Sequence, residues 1–298
     1  MNLNNINAAK LKGFLFVMIA CLMYGVMPAL TQLAFLTGLS VSTILFGRLT
    51  LGSLMIWVTI FVRKIDFKIE MKHMGYLLFI GCAMVVQTVT MSESYRFLPG
   101  AIVSLIMFLY VSVVVVIEIL IGREKFSKTR IICLVCSFAG LILVIWTPGE
   151  GIVLSATGII LALSAALGYG FYVVGLGEAR TRRLESEVVV VYTLIPPILF
   201  SFSRCLALGE PVLPQTSEQT VYVVMLAFFC LFIGATCFTK GVKYIGSSNA
   251  AIFNTVEPVV AYFAGILIMS DEISATAIFG GLLILGAVVY LNLPSKKK

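Results

Sequence analysis

Residues 13–25 read GFLFVMIACLMYG, and residues 158–170 read GIILALSAALGYG. The two stretches share the opening glycine, an alanine, a leucine and the closing Tyr-Gly pair, all at an offset of 145 residues. Each stretch is an almost unbroken apolar run, which is typical of a helix that crosses a lipid bilayer. The pattern therefore indicates a membrane helix that occurs twice in the chain.

The match between the two halves continues in the same order along the chain. Further pairs at offsets of 147 to 149 residues are Thr90 with Thr239, Tyr95 with Tyr244, Ala101 with Ala250, and the acidic loop Glu124–Ser127 with Asp271–Ser274. Any single match between two apolar helices is weak evidence for a repeat. Several matches in the same order at a nearly constant offset are strong evidence, and an internal repeat determines the architecture of a protein. We predict a first repeat at residues 1–148 and a second at residues 149–298.

The composition indicates the same class of protein. Of 298 residues, 60% are hydrophobic and 12% are charged, and the mean hydropathy is +1.07. Soluble domains have roughly 45–50% apolar and 25% charged residues. A soluble enzyme, a nucleic-acid-binding module, a disulfide scaffold and a disordered tail are thereby excluded, because too few charges are available to cover a water-facing surface.

We predict an all-α integral membrane protein with ten transmembrane helices in two inverted five-helix repeats. The ten predicted spans, numbered one to ten in chain order, are Gly13–Phe35, Val41–Val62, Met74–Glu93, Gly100–Ile121, Arg130–Trp146, Leu154–Leu176, Val188–Leu206, Val221–Thr239, Asn249–Met269 and Ala275–Leu291. Because each repeat has an odd number of spans, the second repeat enters the membrane upside down relative to the first. Inverted repeats are a common plan of secondary transporters.

The distribution of positive charge predicts the orientation. With the N-terminus inside, 18 of the 21 Lys and Arg residues fall in cytoplasmic segments, as expected from the positive-inside rule. Only Arg96 and Arg204 fall outside, and Arg48 lies within span two. We predict a multi-pass plasma-membrane protein, in a bacterial inner membrane, with N- and C-termini in the cytoplasm.

Several short motifs resemble those of the drug/metabolite transporter superfamily, and specifically its EamA-type members. They are Tyr24-Gly25, Phe46-Gly47-Arg48-Leu49, the segment from Tyr95 to Ala101, the segment from Gly122 to Ser127, and Glu257-Pro258-Val259. The resemblance covers nearly the whole chain. It implies ten helices in two inverted halves around a central cavity, and transport, often export, of small metabolites.

Glu257 is the most informative ionisable residue, because charged groups near the bilayer centre are costly and suggest function. Three roles remain open: a counter-ion for an amine-bearing substrate, a proton carrier, or a structural group beside the helix turn that Pro258 interrupts. Asn254 shares its helical face. The opposite face carries Val256, Val260, Phe263 and Leu267, which suit contact with lipid or apolar packing.

Neutral polar and aromatic residues complete the predicted substrate site, and inverted symmetry would bring equivalent positions together at its centre. With Glu257, the candidate substrate-binding residues are Tyr24, Gln32, Gln87, Thr90, Ser104, Phe108, Tyr169, Tyr172, Thr236 and Asn254. We expect Arg48 to be structural, Glu118 to face headgroups or a neighbouring loop, and Lys240 to serve topology. Small residues in span ten, from Gly280 to Ala287, predict a helix contact surface and a homodimer seam.

The predicted function is secondary-active export of small amino-acid-like or amine-bearing metabolites, coupled to protons or another cation, by alternating access. A nucleotide-sugar-like or drug transporter is the alternative within the superfamily. A membrane-embedded enzyme or sensor is the rival class, but the chain has no paired-acid, protease or P-loop motif. We predict no enzymatic activity, no cofactor, no metal site and no nucleic-acid partner; the expected partners are the substrate and the lipid bilayer.

Overall fold

The computed structural model describes residues 3–94, 97–98, 103, 106–125, 127–145, 155–269 and 275–292. Within these ranges every regular element is helical. The helices are α1 Leu3–Gly25, α2 Met27–Leu36, α3 Val41–Val62, α4 Met71–Ser94, α5 Tyr110–Leu120, α6 Lys128–Ile145, α7 Ala156–Leu176, α8 Ala179–Arg182, α9 Ser186–Leu208, α10 Ser217–Met225, α11 Thr236–Ile245, α12 Ser247–Asn254, α13 Glu257–Met269 and α14 Ala275–Asn292. A π-helical segment, Leu226–Ala235, joins α10 to α11.

Six helical stretches are long and apolar enough to cross a membrane. They are Ala9–Leu36, Val41–Val62, Met71–Ser94, Ala156–Leu176, Ser186–Leu208 and Ser217–Ile245. Three shorter apolar helices, Tyr110–Leu120, Ile131–Gly140 and Ile278–Ala287, lie inside predicted spans four, five and ten. The ninth predicted span is divided between α12 and α13. The protein is therefore an all-α membrane protein, and the count of ten spans stays a prediction.

The outer surface of the helices is apolar, as contact with lipid requires. Phe79 on α4 is 72% exposed, Leu199 on α9 is 61% exposed, and Leu267 on α13 is 83% exposed. Soluble proteins rarely expose contiguous apolar patches of this kind. The interior is also apolar, with buried Val, Ile, Leu and Ala from both halves of the chain in one cluster.

The contacts between the two repeats are symmetric. Helix α1 of the first repeat packs on α11 of the second. Their equivalents, α7 of the second repeat and α4 of the first, also pack on each other. Helix α3 packs on its equivalent α9, and α6 packs on its equivalent α14. Each of these contacts joins one repeat to the other, so neither half forms its core alone.

Matching close contacts show this equivalence at atomic detail. A Cβ atom placed on Gly25 would lie 2.5 Å from the side chain of Val260, and one placed on Gly170 would lie 2.6 Å from the side chain of Val113. Gly25 and Gly170 are separated by 145 residues, and Val113 and Val260 by 147 residues. At both places only glycine allows the two helices to approach so closely.

Equivalent helices α3 and α9 run in opposite directions. Arg204, near the end of α9, is hydrogen-bonded to Ser42 at the start of α3. Arg63, directly after α3, is bonded to Glu187 at the start of α9. Such an antiparallel pair of equivalent helices is the arrangement expected of inverted repeats.

The small residues predicted as a contact surface in span ten contact α6 of the same chain. A Cβ atom on Gly140 of α6 would lie 2.6 Å from the carbonyl oxygen of Gly280. The Cys133 thiol donates to the carbonyl of Ala287 at 3.3 Å. Part of this surface is thus used inside the chain, and the homodimer stays a prediction.

Candidate functional site

The helix that carries Glu257 is broken directly before it. Helix α12 ends at Asn254, Thr255 and Val256 form a turn, and α13 begins at Glu257. The next residue, Pro258, has no N–H to donate to the carbonyl of Asn254, so the α-helical ladder cannot continue through this turn. The break leaves Glu257 at the N-terminus of a half-helix, where irregular backbone in membrane proteins commonly lines a site.

The first repeat contains the same break at the equivalent place. Phe108 and Leu109 form a turn, and α5 begins at Tyr110, which lies 147 residues before Glu257. The hydrogen bonds after the two turns also correspond. They are Val113 N to Leu109 O at 3.1 Å and Val260 N to Val256 O at 3.2 Å. Tyr110 and Glu257 are therefore equivalent residues, each the first of its half-helix.

Asn254 joins these two residues. Its Nδ2 donates to Glu257 Oε2 at 2.8 Å and to the Tyr110 hydroxyl oxygen at 3.0 Å. Its Oδ1 lies 3.5 Å from the Cys21 thiol of α1. Asn254 is 1% exposed, and an amide has two N–H donors. Both donors are used, which fixes the amide between the half-helices of the two repeats.

A group of tyrosine rings surrounds the hydrogen bonds that Asn254 donates to Tyr110 and Glu257, here called the Asn254 tie. The Tyr169 ring meets the Tyr110 ring edge to face, with centroids 4.7 Å apart, and it stacks with Tyr172 at 6.0 Å. Tyr24 packs against the same buried cluster that contains Tyr110 and Tyr172. The resulting environment is aromatic with a few polar tips, and it suits a small ligand with one charged group.

The charge of Glu257 is not balanced by a cation in the part of the chain that the structure describes. Its carboxylate accepts from Asn254 but forms no ion pair with a described Lys, Arg or His. Burial disfavours the ionised form of a carboxyl group, and a nearby positive charge favours it. A carboxylate in this position can take up a proton or pair with the cation of a ligand.

Six of the predicted site residues come together here. They are Tyr24, Phe108, Tyr169, Tyr172, Asn254 and Glu257. Phe108 contributes through its ring, whose centroid is 6.0 Å from that of Tyr110.

The other predicted residues are not part of this group around the Asn254 tie. Gln32 is exposed on α2. Gln87 Nε2 contacts Met91 Sδ at 3.2 Å, and the Thr90 hydroxyl donates to a carbonyl of its own helix at 2.8 Å. Thr236 is buried, and its hydroxyl has no hydrogen-bond partner among the described residues. Ser104 lies outside the described residues.

The apolar face of the predicted ninth span is divided between lipid and protein. Phe263 and Leu267 are exposed, whereas Val256 is buried and Val260 packs against Gly25. Both surroundings are among those expected for an apolar face, and the break at residues 255–256 separates buried Val256 from helix α13, which carries the other three.

Two charged residues also have partners that the sequence did not predict. Glu118, expected to face headgroups or a neighbouring loop, is buried and accepts from the hydroxyl of Ser247, which directly follows Gly246 at the start of α12. Lys240, expected to serve topology, pairs with Glu187 at 2.7 Å.

Tyr110 and Cys21 are site residues that the candidate list missed. A signal for Tyr110 was present in the sequence, since the acidic loops that follow in the two repeats are offset by 147 residues and the same offset applied to Glu257 gives Tyr110. No comparable signal marks Cys21. Within the described part of the chain, no group of three or more His, Cys, Asp or Glu residues has a geometry suited to a metal ion.

Comparison with known families decides the class of the protein. Residues 11–146 and residues 156–293 each match the model of a family described as the EamA-like transporter family. The chain belongs to the EamA-like transporter family. The two matches show that this EamA-family protein contains two copies of the family's repeat, and that it is a membrane transporter of the drug/metabolite transporter superfamily.

A solved structure supports the fold of the EamA-family chain. One structure, titled only "Crystal structure of protein", superposes with a TM-score of 0.82 at 17% sequence identity, covering 96% of this chain and 97% of that one. At this identity the likeness shows the fold alone. No curated protein matches the chain.

Proposed function

We propose that this EamA-family protein is a secondary-active transporter, without enzymatic activity, that exports small amine-bearing or amino-acid-like metabolites by alternating access. The observation that carries the proposal is Glu257, a carboxylate with no described ion-pair partner, held by Asn254 in a tyrosine-lined centre. An ammonium group would complete this site through the carboxylate and through cation–π contact with the tyrosine rings. A proton on Glu257 would do so in the absence of substrate.

The proposed mechanism uses ten spans in two inverted repeats, with both termini in the cytoplasm of a plasma membrane. Two features support it: the symmetric packing of α1 on α11 and α7 on α4, and the antiparallel course of equivalent helices α3 and α9. Two related bundles with opposite insertion differ little in energy when they exchange roles, which favours alternating access. Coupling to protons follows if substrate and proton compete for Glu257.

A phosphate-bearing substrate, as in nucleotide-sugar transport, is less well supported. Recognition of phosphate normally uses Arg or Lys, whereas the group that Asn254 presents at the centre is a carboxylate. Cationic drugs remain compatible with the site and are included in the test below.

The proposal is tested by ligand-induced stabilisation of the detergent-purified protein, followed by uptake into proteoliposomes. The panel contains amino acids, polyamines, cationic drugs, nucleotides and sugars. A ligand at 100 times its dissociation constant stabilises the folded state by about 2.7 kcal/mol. We expect an amine-bearing compound to raise the melting temperature, and an imposed proton gradient to drive its movement.

The variant Glu257→Gln is expected to abolish both the stabilisation and the proton-driven transport while the protein still folds. The matched control is Glu218→Gln, because Glu218 is an exposed glutamate at the start of α10. The proposal is wrong if Glu257→Gln transports like the wild type at every pH, or if only nucleotides or sugars stabilise the protein.

A further inference from the structure

A buried carboxylate holds two cations at one end of the α3–α9 pair. Glu187 is 2% exposed, and its Oε1 lies 2.7 Å from Lys240 Nζ of α11 and 3.1 Å from Arg63 Nη1 at the end of α3. These three residues, here called the Glu187 cluster, join α3, α9 and α11. Its other oxygen, Oε2, is buried without a hydrogen-bond partner among the described residues.

A second polar cluster lies at the opposite end of the same two helices. Arg204 Nη2 lies 2.7 Å from Glu93 Oε1 at the end of α4, and Arg204 Nε donates to Ser42 Oγ at 3.1 Å. These three residues, the Arg204 cluster, join α9, α4 and α3. Helices of about 22 residues separate the two clusters by roughly 30 Å, a distance comparable to the thickness of the hydrocarbon core.

The two clusters are related by the symmetry of the repeats. Ser42 and Glu187 are 145 residues apart, the same offset as the repeated Tyr-Gly pairs, and each accepts a hydrogen bond from an arginine at the far end of the partner helix. The third helix differs as the symmetry requires, since α4 in one cluster is equivalent to α11 in the other. The clusters therefore tie together equivalent sets of helices at opposite ends of the α3–α9 pair.

Glu187 is the buried member of its cluster, whereas the Lys240 and Arg63 side chains are 26% and 59% exposed. Burying a carboxylate is a poor way to gain stability, because the cost of removing its charge from water can exceed its attraction to partners that stay hydrated. The unpartnered oxygen of Glu187 adds to that cost. Such groups are best explained where they select one arrangement over another. A transporter that opens to alternate sides must separate helices at one end while holding them together at the other.

We propose that the Glu187 cluster and the Arg204 cluster are the two gates of the transport cycle, each closing the path from its own side of the membrane to the central site. This inference rests on the proposed transport function. In the present structure both clusters are formed, as expected of a state closed on both sides. Opening to one side breaks one cluster and preserves the other.

Native cysteines provide a reporter for each gate. Cys237 lies one turn before Lys240 on α11 and is partly exposed. Cys205 follows Arg204 directly and is fully buried. We suggest two proteins in which all other cysteines are replaced by alanine, one retaining Cys237 and one retaining Cys205. The measured quantity is the rate of labelling by a hydrophilic, membrane-impermeant maleimide in intact cells and in inverted vesicles.

We expect Glu187→Gln to raise the labelling rate of Cys237 about tenfold, the effect of roughly 1.4 kcal/mol lost by the closed gate, and to lower that of Cys205. Glu93→Gln is expected to have the reverse effect. The two cysteines should be labelled from opposite sides of the membrane. Arg183→Gln, a change at an exposed arginine close to Glu187 in the chain, is the matched control and should leave both rates unchanged.

Unchanged rates in both Glu187→Gln and Glu93→Gln would overturn the proposal, and so would a variant in which both cysteines become more reactive, since that indicates local unfolding. If Glu187→Gln does not fold, Arg63→Gln and Lys240→Gln each remove one of the two cations and should shift the same rates by less. The labelling experiment needs no substrate. Opposite changes in the labelling rates of the two cysteines would therefore support the gates even if the proposed amine-bearing substrate class were wrong.

Discussion

The Tyr110 hydroxyl and the Glu257 carboxylate occupy equivalent positions 147 residues apart and share one hydrogen-bond donor, the side-chain amide of Asn254. The amide reaches the hydroxyl at 3.0 Å and the carboxylate at 2.8 Å. A change of charge or ligand at Glu257 therefore acts on a bond that holds the first repeat as well as the second. The proposed substrate site and the packing of the two half-helices thus depend on the same side-chain amide.

Replacing Asn254 should damage both stability and ligand binding. Asn254→Ala removes the donor of Glu257 and leaves a partly buried carboxylate without that partner, which costs about 1–3 kcal/mol. We expect a lower melting temperature and loss of ligand-induced stabilisation. The double variant Asn254→Ala with Glu257→Gln should recover part of the lost stability, because no charge is then left without a donor. Equal melting temperatures for wild type and Asn254→Ala would contradict this account of the tie.

Removing only the hydroxyl of Tyr110 should have a smaller effect. Tyr110→Phe keeps the ring contact with Tyr169 but removes one acceptor of Asn254, and a typical hydrogen bond contributes about 0.5–1.5 kcal/mol. A double-mutant cycle with Asn254→Ala should give a coupling energy of similar size, measured by chemical unfolding in detergent. Strict additivity would show that the hydroxyl and the amide are independent.

Restoring the missing backbone donor at Pro258 should reduce transport without loss of stability. Pro258→Ala supplies an N–H that can donate to Asn254 O and continue the helix through the turn, where a proline costs about 3 kcal/mol or more. We expect an equal or higher melting temperature and a transport rate lowered about tenfold, because closing the break changes the angle between α12 and α13 and so moves Glu257 relative to Tyr110 of the first repeat. The control is Pro28→Ala, at the exposed start of α2 where proline is well tolerated. Normal transport by Pro258→Ala would show that the break has no role in function.

The glycines at the repeat contacts should be intolerant of larger side chains. Gly25→Ala and Gly170→Ala each place a Cβ within 2.6 Å of a valine side chain, and overpacking of this kind costs about 1–3 kcal/mol. We expect each change to lower the melting temperature, and Val260→Ala and Val113→Ala respectively to restore it. Gly75→Ala is the matched control, because no atom lies within 4 Å of its added Cβ and alanine favours a helix by about 1 kcal/mol. If Gly75→Ala lowered the melting temperature as much as Gly25→Ala or Gly170→Ala, the effect would not be steric.

Much of the architecture follows from local features of the sequence. Hydropathy identified the membrane class, and the offset shared by Tyr24 and Tyr169 identified the repeat, because both are properties of single segments or of simple comparison between segments. Pro258 likewise predicted an interrupted turn, since a missing N–H acts on its own helix. The matched residues of the family confirm the two repeats. The ten spans, the orientation and the homodimer stay predictions.

The polar contacts depended on packing between helices. Gln32 and Thr90 are as polar as Asn254, yet one is exposed and the other bonds its own helix, while Asn254 reaches across to Tyr110. A membrane helix is apolar on nearly every face, so periodicity separates lipid-facing from protein-facing positions poorly. The sequence by itself therefore determined that the chain enters the membrane as two related halves. Only the tertiary structure decided which side chains meet at its centre and at its two ends, because those contacts join residues from different helices and depend on how the helices are rotated and broken.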